Sequence, residues 1–122
     1  MSQPSQRAIT PFNERHFREA LSQFATGVTV VTTRLENGEF FGVTISSFNS
    51  VSLNPPLVLW SLATSARSLP TFTANTHYVI NVLSADQLVL AERFATRTEN
   101  RFEGLEIELS HTGLPILKGA SA

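Results

Sequence analysis

The 122-residue sequence contains no cysteine. This absence excludes a disulfide scaffold, a cysteine-ligated zinc site, an iron–sulfur cluster and a thiol nucleophile. Charged residues make up only 16% of the chain, which excludes a disordered charged tail as its main content. The sequence has nine Lys and Arg residues and ten Asp and Glu residues, so there is no basic excess to neutralise a nucleic-acid backbone.

Long hydrophobic runs are also missing from the sequence. Polar residues interrupt each apolar stretch well before the roughly 18 residues that a membrane helix needs. The N-terminal sequence MSQPSQRAITPF lacks the basic-then-apolar order of a secretory signal. We therefore expect a soluble cytoplasmic protein with neither a membrane nor a nucleic-acid partner, in which residues 1–11 form a flexible tail.

The first half of the chain predicts one helix followed by a hairpin. The helix is expected to begin at Thr10-Pro11, with Thr as cap and Pro in the first turn, and to end at Gly27. Residues 27–35 and 39–45 have the β-branched composition of strands. The intervening Asn37-Gly38 predicts a two-residue hairpin loop that pairs them antiparallel.

The second half adds three strand patterns, at residues 57–63, 77–83 and 105–111, of which the first is expected to be buried. Ser65 is expected to cap a short helix, and residues 84–87 form a capping box before another helix. The apolar stripe of that last helix consists of Leu88, Ala91, Phe94 and Ala95. This order of elements favours a mainly β fold with inserted helices, built on an antiparallel sheet or barrel.

Several standard catalytic motifs are absent. The six glycines are never spaced G-x-G, which excludes a dinucleotide-binding fingerprint and a phosphate-binding P-loop. His16, His77 and His111 lie far apart and predict no metal site. Asp86, the only Asp, falls in the first turn of a predicted helix, where it favours the helix dipole rather than a catalytic triad. The sequence therefore predicts no catalytic side chain and no metal ligand.

Nine hydroxyl side chains fall within residues 44–68, beside apolar strands. Hydroxyls and loop N–H groups bind phosphate without a high positive charge, and Arg67 supplies one cation. A ligand with a phosphate, a polyol and a flat ring suits this composition. The ring would meet the apolar side chains of Val43, Ile45, Val51 and Leu62. The alternative is that these Ser and Thr residues face solvent on a sheet and bind nothing.

The chain closely resembles the flavin reductase family over roughly residues 12–120. This family comprises short-chain NAD(P)H:flavin oxidoreductases that serve as reductase components of two-component flavin monooxygenases. The resemblance rests on four features: GVTVVTT, G-x-T-x-S-S-F-x-S-V-S-x-x-P-P, the Ser-rich turn after LWSLA, and V-x-N-V-L followed by Q-x-x-L-A-x-x-F-A. We accordingly expect residues 12–122 to form one flavin reductase-like domain.

The resemblance implies a split β-barrel that binds FMN or FAD, in a homodimer with the flavin near the subunit interface. The residues that the resemblance places beside the flavin ring and ribityl chain are Thr44, Ile45, Ser46, Ser47, Ser50, Val51 and Ser52. It places around the phosphate Ser61, Leu62, Ala63, Thr64, Ser65 and Arg67. Gly27 and Val28 are expected to approach the ring, because a residue without a side chain lets the backbone come close.

The implied activity is NAD(P)H-dependent reduction of FMN or FAD, which supplies reduced flavin to a separate oxygenase. In such a reaction hydride passes from nicotinamide C4 to flavin N5, and the protein aligns and tunes the two cofactors. Family members continue past the position of Ala122 with further strands and a G-D-H motif, which this sequence lacks. We therefore expect a C-terminally short domain, and three explanations stay open: a shortened form, a fragment, or an incomplete barrel that a partner subunit closes.

Two other functions stay open at this point. The first is a non-catalytic flavin-binding module that has lost nicotinamide binding together with the missing C-terminal segment. The second is a shortened domain that assembles without any ligand. Uptake of flavin and oxidation of NADH separate the three possibilities.

Overall fold

The computed structural model describes residues 13–16, 27–96 and 101–122. Its strands and helices are β1 (Thr29–Arg34), β2 (Phe40–Ile45), β3 (Asn49–Ser52), β4 (Leu57–Leu59), α1 (Leu69–Ala74), β5 (Val79–Val82), a 3₁₀ turn (Ala85–Gln87), α2 (Leu88–Ala95), β6 (Ile107–Leu109) and β7 (Pro115–Leu117). Residues 14–16 are helical. The predicted tail and the rest of the N-terminal helix lie outside the described residues.

The main sheet has the order β2-β1-β5 and is antiparallel throughout, as predicted. Strand β1 lies in the centre, and its residues 29–33 are all buried. Its run of valine and threonine suits this position, because β-branched side chains pack well on a pleated surface. Thr29 pairs with Ile45 on one side and with Val82 on the other.

The hairpin between β1 and β2 forms as predicted, but its loop has three residues rather than two. Leu35 N–H donates to Glu39 O at 2.8 Å, which leaves residues 36–38 as the loop. Gly38 N–H donates to Leu35 O at 2.9 Å, and Gly38 has a φ of 89°. This left-handed residue after a tight turn forms the bulge that three-residue hairpins need.

One face of the sheet packs against α2 and the hairpin of β6 and β7. Val30, Phe94 and Leu117 form its buried cluster. Gly42 on β2 makes room for the Phe94 ring, since a Cβ there would lie 2.9 Å from Phe94 Cε1. Strand β7 was not predicted, because Gly113 and Pro115 are residue types that are common in turns and rare inside strands.

The other face of the sheet has a second buried cluster. Val31 and Ile45 come from the sheet, and Phe72 of α1 packs with them. Trp60 and Leu62 pack against this cluster from the segment after β4. The Trp60 ring contacts the Phe72 ring edge-on at 5.0 Å between centroids. This packing fixes the backbone of residues 60–62 against the sheet.

The prediction of a buried strand over residues 57–63 was wrong. The strand covers only Leu57–Leu59 and all three residues are exposed, because β3 and β4 pair only with each other in the described part of the chain. The prediction of a cap at Ser65 was also wrong. Helix α1 begins at Leu69 with Ser68 before it, since Pro70 is tolerated only in the first turn.

The capping box of Ser84 and Gln87 is confirmed. The predicted apolar stripe of α2 holds for Ala91 and Phe94, which are buried, but not for Leu88, which is 64% exposed, or Ala95, which is exposed as well. The fold is mainly β, and its three sheets do not close into a barrel within the described ranges. None of the helices found there is long and apolar enough to cross a bilayer.

Candidate functional site

Two hydroxyl-rich loops meet through a pair of hydrogen bonds between Ser47 and Ser61. The Ser47 Oγ accepts from the Ser61 backbone N–H at 3.0 Å and donates to the Ser61 carbonyl at 3.3 Å. The two residues are 14 positions apart in the chain. We call this contact the serine clasp. It brings together residues 46–52 and 61–67, the two segments in which the sequence predicted most of the flavin contacts.

The turn after the clasp is fixed at both ends and open in the middle. Leu62 is half-buried against the second cluster, and Ser68 is buried. Between them the Ala66 N–H donates to Ala63 O at 2.9 Å and closes a tight turn. Residues 63–65 and Arg67 are exposed to solvent between these two buried ends, and Ala66 is half-buried.

The end of β2 is held by two further side chains. Thr44 Oγ1 donates to the Ala91 carbonyl of α2 at 2.6 Å, and Thr29 Oγ1 donates to the Ile45 carbonyl at 2.9 Å. The Ile45 side chain is only 5% exposed, inside the second cluster. Thr44 and Ile45, both predicted flavin contacts, thus anchor the strand from which the first loop leaves.

Four polar side chains at this site have no partner among the residues that the structure describes. Ser50, Thr64, Ser65 and Arg67 are exposed, and in the described part of the chain none of their side chains makes a hydrogen bond or ion pair. Ser46 is exposed and Ser52 half-exposed beside them, and Val51 offers an apolar side chain that is 59% exposed. Hydroxyl donors, one cation and an apolar surface suit a phosphorylated ligand with a flat ring.

The local charge also favours an anion. No charged residue occurs in the sequence between Glu39 and Arg67, so no carboxylate from this stretch opposes a phosphate. Arg67 is therefore the only charged residue of the two hydroxyl-rich segments, residues 46–52 and 61–67, and its charge is positive.

Gly27 and Val28 lie at the same end of the sheet as the first loop. Because Thr29 pairs with Ile45, Val28 and Ser46 leave the antiparallel sheet side by side. Gly27 is exposed, and a Cβ there would meet Val82 Cγ1 at 3.7 Å, an ordinary contact. Packing against the described residues therefore does not require glycine at position 27.

Sequence reasoning missed the aromatic support beneath the turn. Trp60 contacts Phe72 and also Tyr78, edge-on at 5.3 Å, and directly precedes Ser61. Trp60 is the only tryptophan of the sequence, which is the one signal that pointed to it. Because Trp60 packs against these two rings, the start of the turn is held against the core.

A separate groove lies on the far side of β2. Arg101 donates from one guanidinium nitrogen to the carbonyls of Gly42 and Phe94, at 2.9 and 3.2 Å. Burial lowers the pKa of the Arg101 guanidinium below its ordinary value. We call this concavity the Arg101 groove; it is lined by Leu35, Glu39, Phe40, Phe41, Gly42, Arg101, Phe102 and Glu103. It contains none of the predicted flavin contacts.

Comparison with known proteins finds the same family across nearly the whole described region. The flavin reductase like domain matches residues 21–122. The chain is 48% identical over 121 residues to the FMN reductase (NADH) SmoA of Agrobacterium fabrum, covering 98% of this chain and 68% of that protein. It is 36% identical to the flavin-dependent monooxygenase reductase subunit HsaB of Rhodococcus jostii, covering 94% of this chain and 58% of that protein.

A solved structure agrees with the fold. The NADH:FAD oxidoreductase SgcE6 of Streptomyces globisporus, in complex with NAD and FAD fragments, superposes with a TM-score of 0.83 and 34% identity. The superposition covers 94% of this chain and 69% of that one. The chain spans between 58% and 69% of the length of these three proteins. On these matches the chain belongs to the flavin reductase like domain family.

Proposed function

We propose that this domain binds FMN or FAD on residues 46–52 and 61–67 and catalyses its reduction by NAD(P)H. The observation that carries the proposal is the serine clasp, which joins the two loops that bear most of the candidate flavin contacts. A relative named FMN reductase (NADH) and a relative structure named NADH:FAD oxidoreductase support the reaction class. A bound flavin supplies the hydride acceptor, so the chain needs no catalytic acid or base of its own.

The residues at the site divide into three roles. Arg67, Ser65 and Thr64 hold the phosphate with one charge and two hydroxyls, all of them exposed and without a protein partner in the described part of the chain. Val51 offers apolar surface to the ring. Backbone N–H groups of residues 46–52 would stabilise negative charge on a bound flavin ring. Positioning is thus the chain's main contribution to the reaction.

The experiment that tests this function mixes the 122-residue chain with FMN and NADH and follows absorbance at 340 nm. We expect NADH oxidation that depends on both flavin and protein. Flavin uptake without NADH oxidation supports a flavin-binding module instead. A chain that takes up no flavin contradicts both readings and favours a domain that assembles without a ligand.

Replacing Arg67 with alanine is expected to weaken FMN binding by about 1–2 kcal/mol, roughly tenfold in Kd, because a charged hydrogen bond to phosphate is lost. Binding of riboflavin, which has no phosphate, is expected to change little. Titration of flavin fluorescence measures both constants. Lys118→Ala is the matched control. It removes one exposed positive charge that lies directly after β7, outside the two loops proposed to bind flavin. Equal weakening of FMN and riboflavin contradicts the phosphate role.

We further propose a homodimer formed through the β3–β4 ribbon. The large apolar residues of this ribbon are between 45% and 94% exposed: Val51, Leu53, Leu57, Val58 and Leu59. The ribbon carries no charge, so two copies related by a two-fold axis meet without like-charge repulsion. A contiguous apolar surface of this kind is typical of an interface. The partner copy is also the candidate to cover strand edges that stay unpaired within the described ranges.

Leu59→Glu is expected to weaken dimerisation by about 100-fold or more, because it places a carboxylate from each copy in an apolar contact. Sedimentation velocity over a range of concentrations measures the effect. Leu109→Glu is the matched control, since Leu59 and Leu109 are each 57% exposed and Leu109 lies on β6. A wild-type chain that is monomeric at all concentrations, or a Leu59→Glu variant that dimerises normally, contradicts the ribbon interface.

The reduced flavin is proposed to pass to a separate oxygenase. The name of one relative, a flavin-dependent monooxygenase reductase subunit, supports this partner. The cytoplasm remains the proposed location, since a cysteine-free chain needs no oxidising compartment. We expect flavin affinity to be moderate, because the product must leave the site for its partner.

A further inference from the structure

We infer that Ser47 acts on the flavin through the turn of residues 61–67, as a positioning residue and not as a direct ligand. The inference rests on the proposed flavin site, and within that site Ser47 fixes the position of the turn that contacts the phosphate. It differs from the expectation drawn from the family resemblance, in which Ser47 touches the flavin itself.

The Ser47 hydroxyl is already engaged at both its donor and its acceptor side. A serine hydroxyl has one hydrogen to donate, and here that hydrogen goes to the Ser61 carbonyl at 3.3 Å. The oxygen accepts from the Ser61 N–H at 3.0 Å. Binding both backbone groups of one residue fixes the position and the orientation of the Ser61 peptide units.

The neighbouring hydroxyls show the contrast. The Thr44 hydroxyl also has a partner within the chain, since it donates to the Ala91 carbonyl of α2. Ser50, Thr64 and Ser65 have exposed side chains that make no hydrogen bond within the described ranges. The hydroxyl-rich region thus contains tethering residues and open residues, and Ser47 is one of the tethers.

The turn that Ser47 holds carries the groups proposed for the phosphate. Ser61 begins the segment that presents Thr64, Ser65 and Arg67, and its other fixed points are the half-buried Leu62 and the buried Ser68. Without the clasp, the contacts that hold the start of this turn within the described ranges are the packing of Trp60 and Leu62. Binding must then order the turn, and the free energy of that ordering is lost from the affinity.

The clasp itself is tested without flavin, by amide hydrogen exchange in the 122-residue chain. Ser47→Ala is expected to speed exchange of the Ser61 amide by about tenfold, because that amide loses its acceptor. Ser47→Thr keeps a hydroxyl and is expected to restore slow exchange. Ser121→Ala is the control, since Ser121 is exposed and lies near the C-terminal end of the chain. Unchanged exchange in Ser47→Ala overturns the clasp.

The positioning role is tested by a double-mutant cycle with Arg67→Ala, measured as the Kd for FMN. With Arg67 present, Ser47→Ala is expected to raise the Kd by about three- to tenfold. With Arg67 replaced, the same change is expected to raise it less than about twofold, because the charged group of the turn that Ser47 positions is gone and only the Thr64 and Ser65 hydroxyls remain. Ser47→Thr is expected to bind FMN as the wild type does.

Additive losses in a chain that binds FMN overturn the positioning role and identify Ser47 as a direct ligand. A wild-type chain that binds no FMN overturns the proposed function, and the flavin role of Ser47 with it. The exchange of the Ser61 amide is independent of flavin, so these two failures are distinguishable.

Discussion

Replacing Asn81 with alanine is expected to lower the free energy of unfolding by about 3–5 kcal/mol, because several buried polar groups lose their partners together. The Asn81 side chain is 1% exposed. Its Nδ2 donates to the Val30 carbonyl at 2.8 Å and to Thr32 Oγ1 at 3.1 Å. Its Oδ1 accepts from the Leu117 N–H at 2.9 Å. This one amide therefore ties β5 to the central strand and to β7.

Urea unfolding followed by circular dichroism measures this effect. Asn49→Ala is the matched control, because Asn49 is exposed on β3 and its side chain has no hydrogen bond in the described part of the chain. A small domain is stable by only about 5–15 kcal/mol, so the Asn81 variant is expected to unfold at clearly lower urea. Equal midpoints for the two variants contradict the role assigned to this network.

Phe94→Ala is expected to destabilise the fold by about 3–5 kcal/mol, through lost apolar burial and the cavity left behind. Phe94 is completely buried, packs with Val30 and Leu117, and contacts the Phe102 ring at 5.0 Å. Gly42 leaves space for this ring and for no Cβ, so the surroundings are shaped around it.

The same unfolding experiment measures the Phe94 variant. Leu109→Ala is its control, since Leu109 is 57% exposed and its truncation is expected to change stability by less than about 1 kcal/mol. Similar losses in both variants show that the contact between α2 and β2 is not a major part of the core. The expected outcome is a loss confined to Phe94→Ala.

The sequence predicted those parts of the fold that local chemistry determines. The Asn37-Gly38 turn and the Ser84–Gln87 capping box act within four residues, and both are present. The loop length of the hairpin was wrong by one residue, because pairing of Leu35 with Glu39 depends on the register of the two strands. Register depends on the hydrophobic pattern of both strands together with the turn geometry, so the Asn37-Gly38 dipeptide alone does not determine it.

Burial was predicted less well than strand identity. The run LVLWSLA is apolar throughout, so its composition indicated a covered strand. Leu57–Leu59 instead form an exposed ribbon, and only Trp60 and Leu62 reach a buried cluster. Hydrophobic pattern states which residues prefer to be covered, and the covering surface can come from another molecule. The homodimer proposed above would supply such a covering surface.

The flavin contacts stay a prediction, and the structure bears only on which of the predicted segments lie together. The resemblance placed residues 46–52 and 61–67 around one ligand, and the serine clasp brings them together. Which hydroxyls are open depends on partners far along the chain, such as Ala91 for Thr44. Spacing within a motif cannot reveal such partners, so the tethering roles of Thr44 and Ser47 became visible only in the structure.

Titrating the isotope-labelled 122-residue chain with FMN and following its amide resonances tests the flavin site most directly. We predict that the largest shifts occur in residues 46–52 and 61–67, with Arg67 among them. Largest shifts at the Arg101 groove, or no shifts at saturating FMN, would contradict the assignment of the flavin to these two loops.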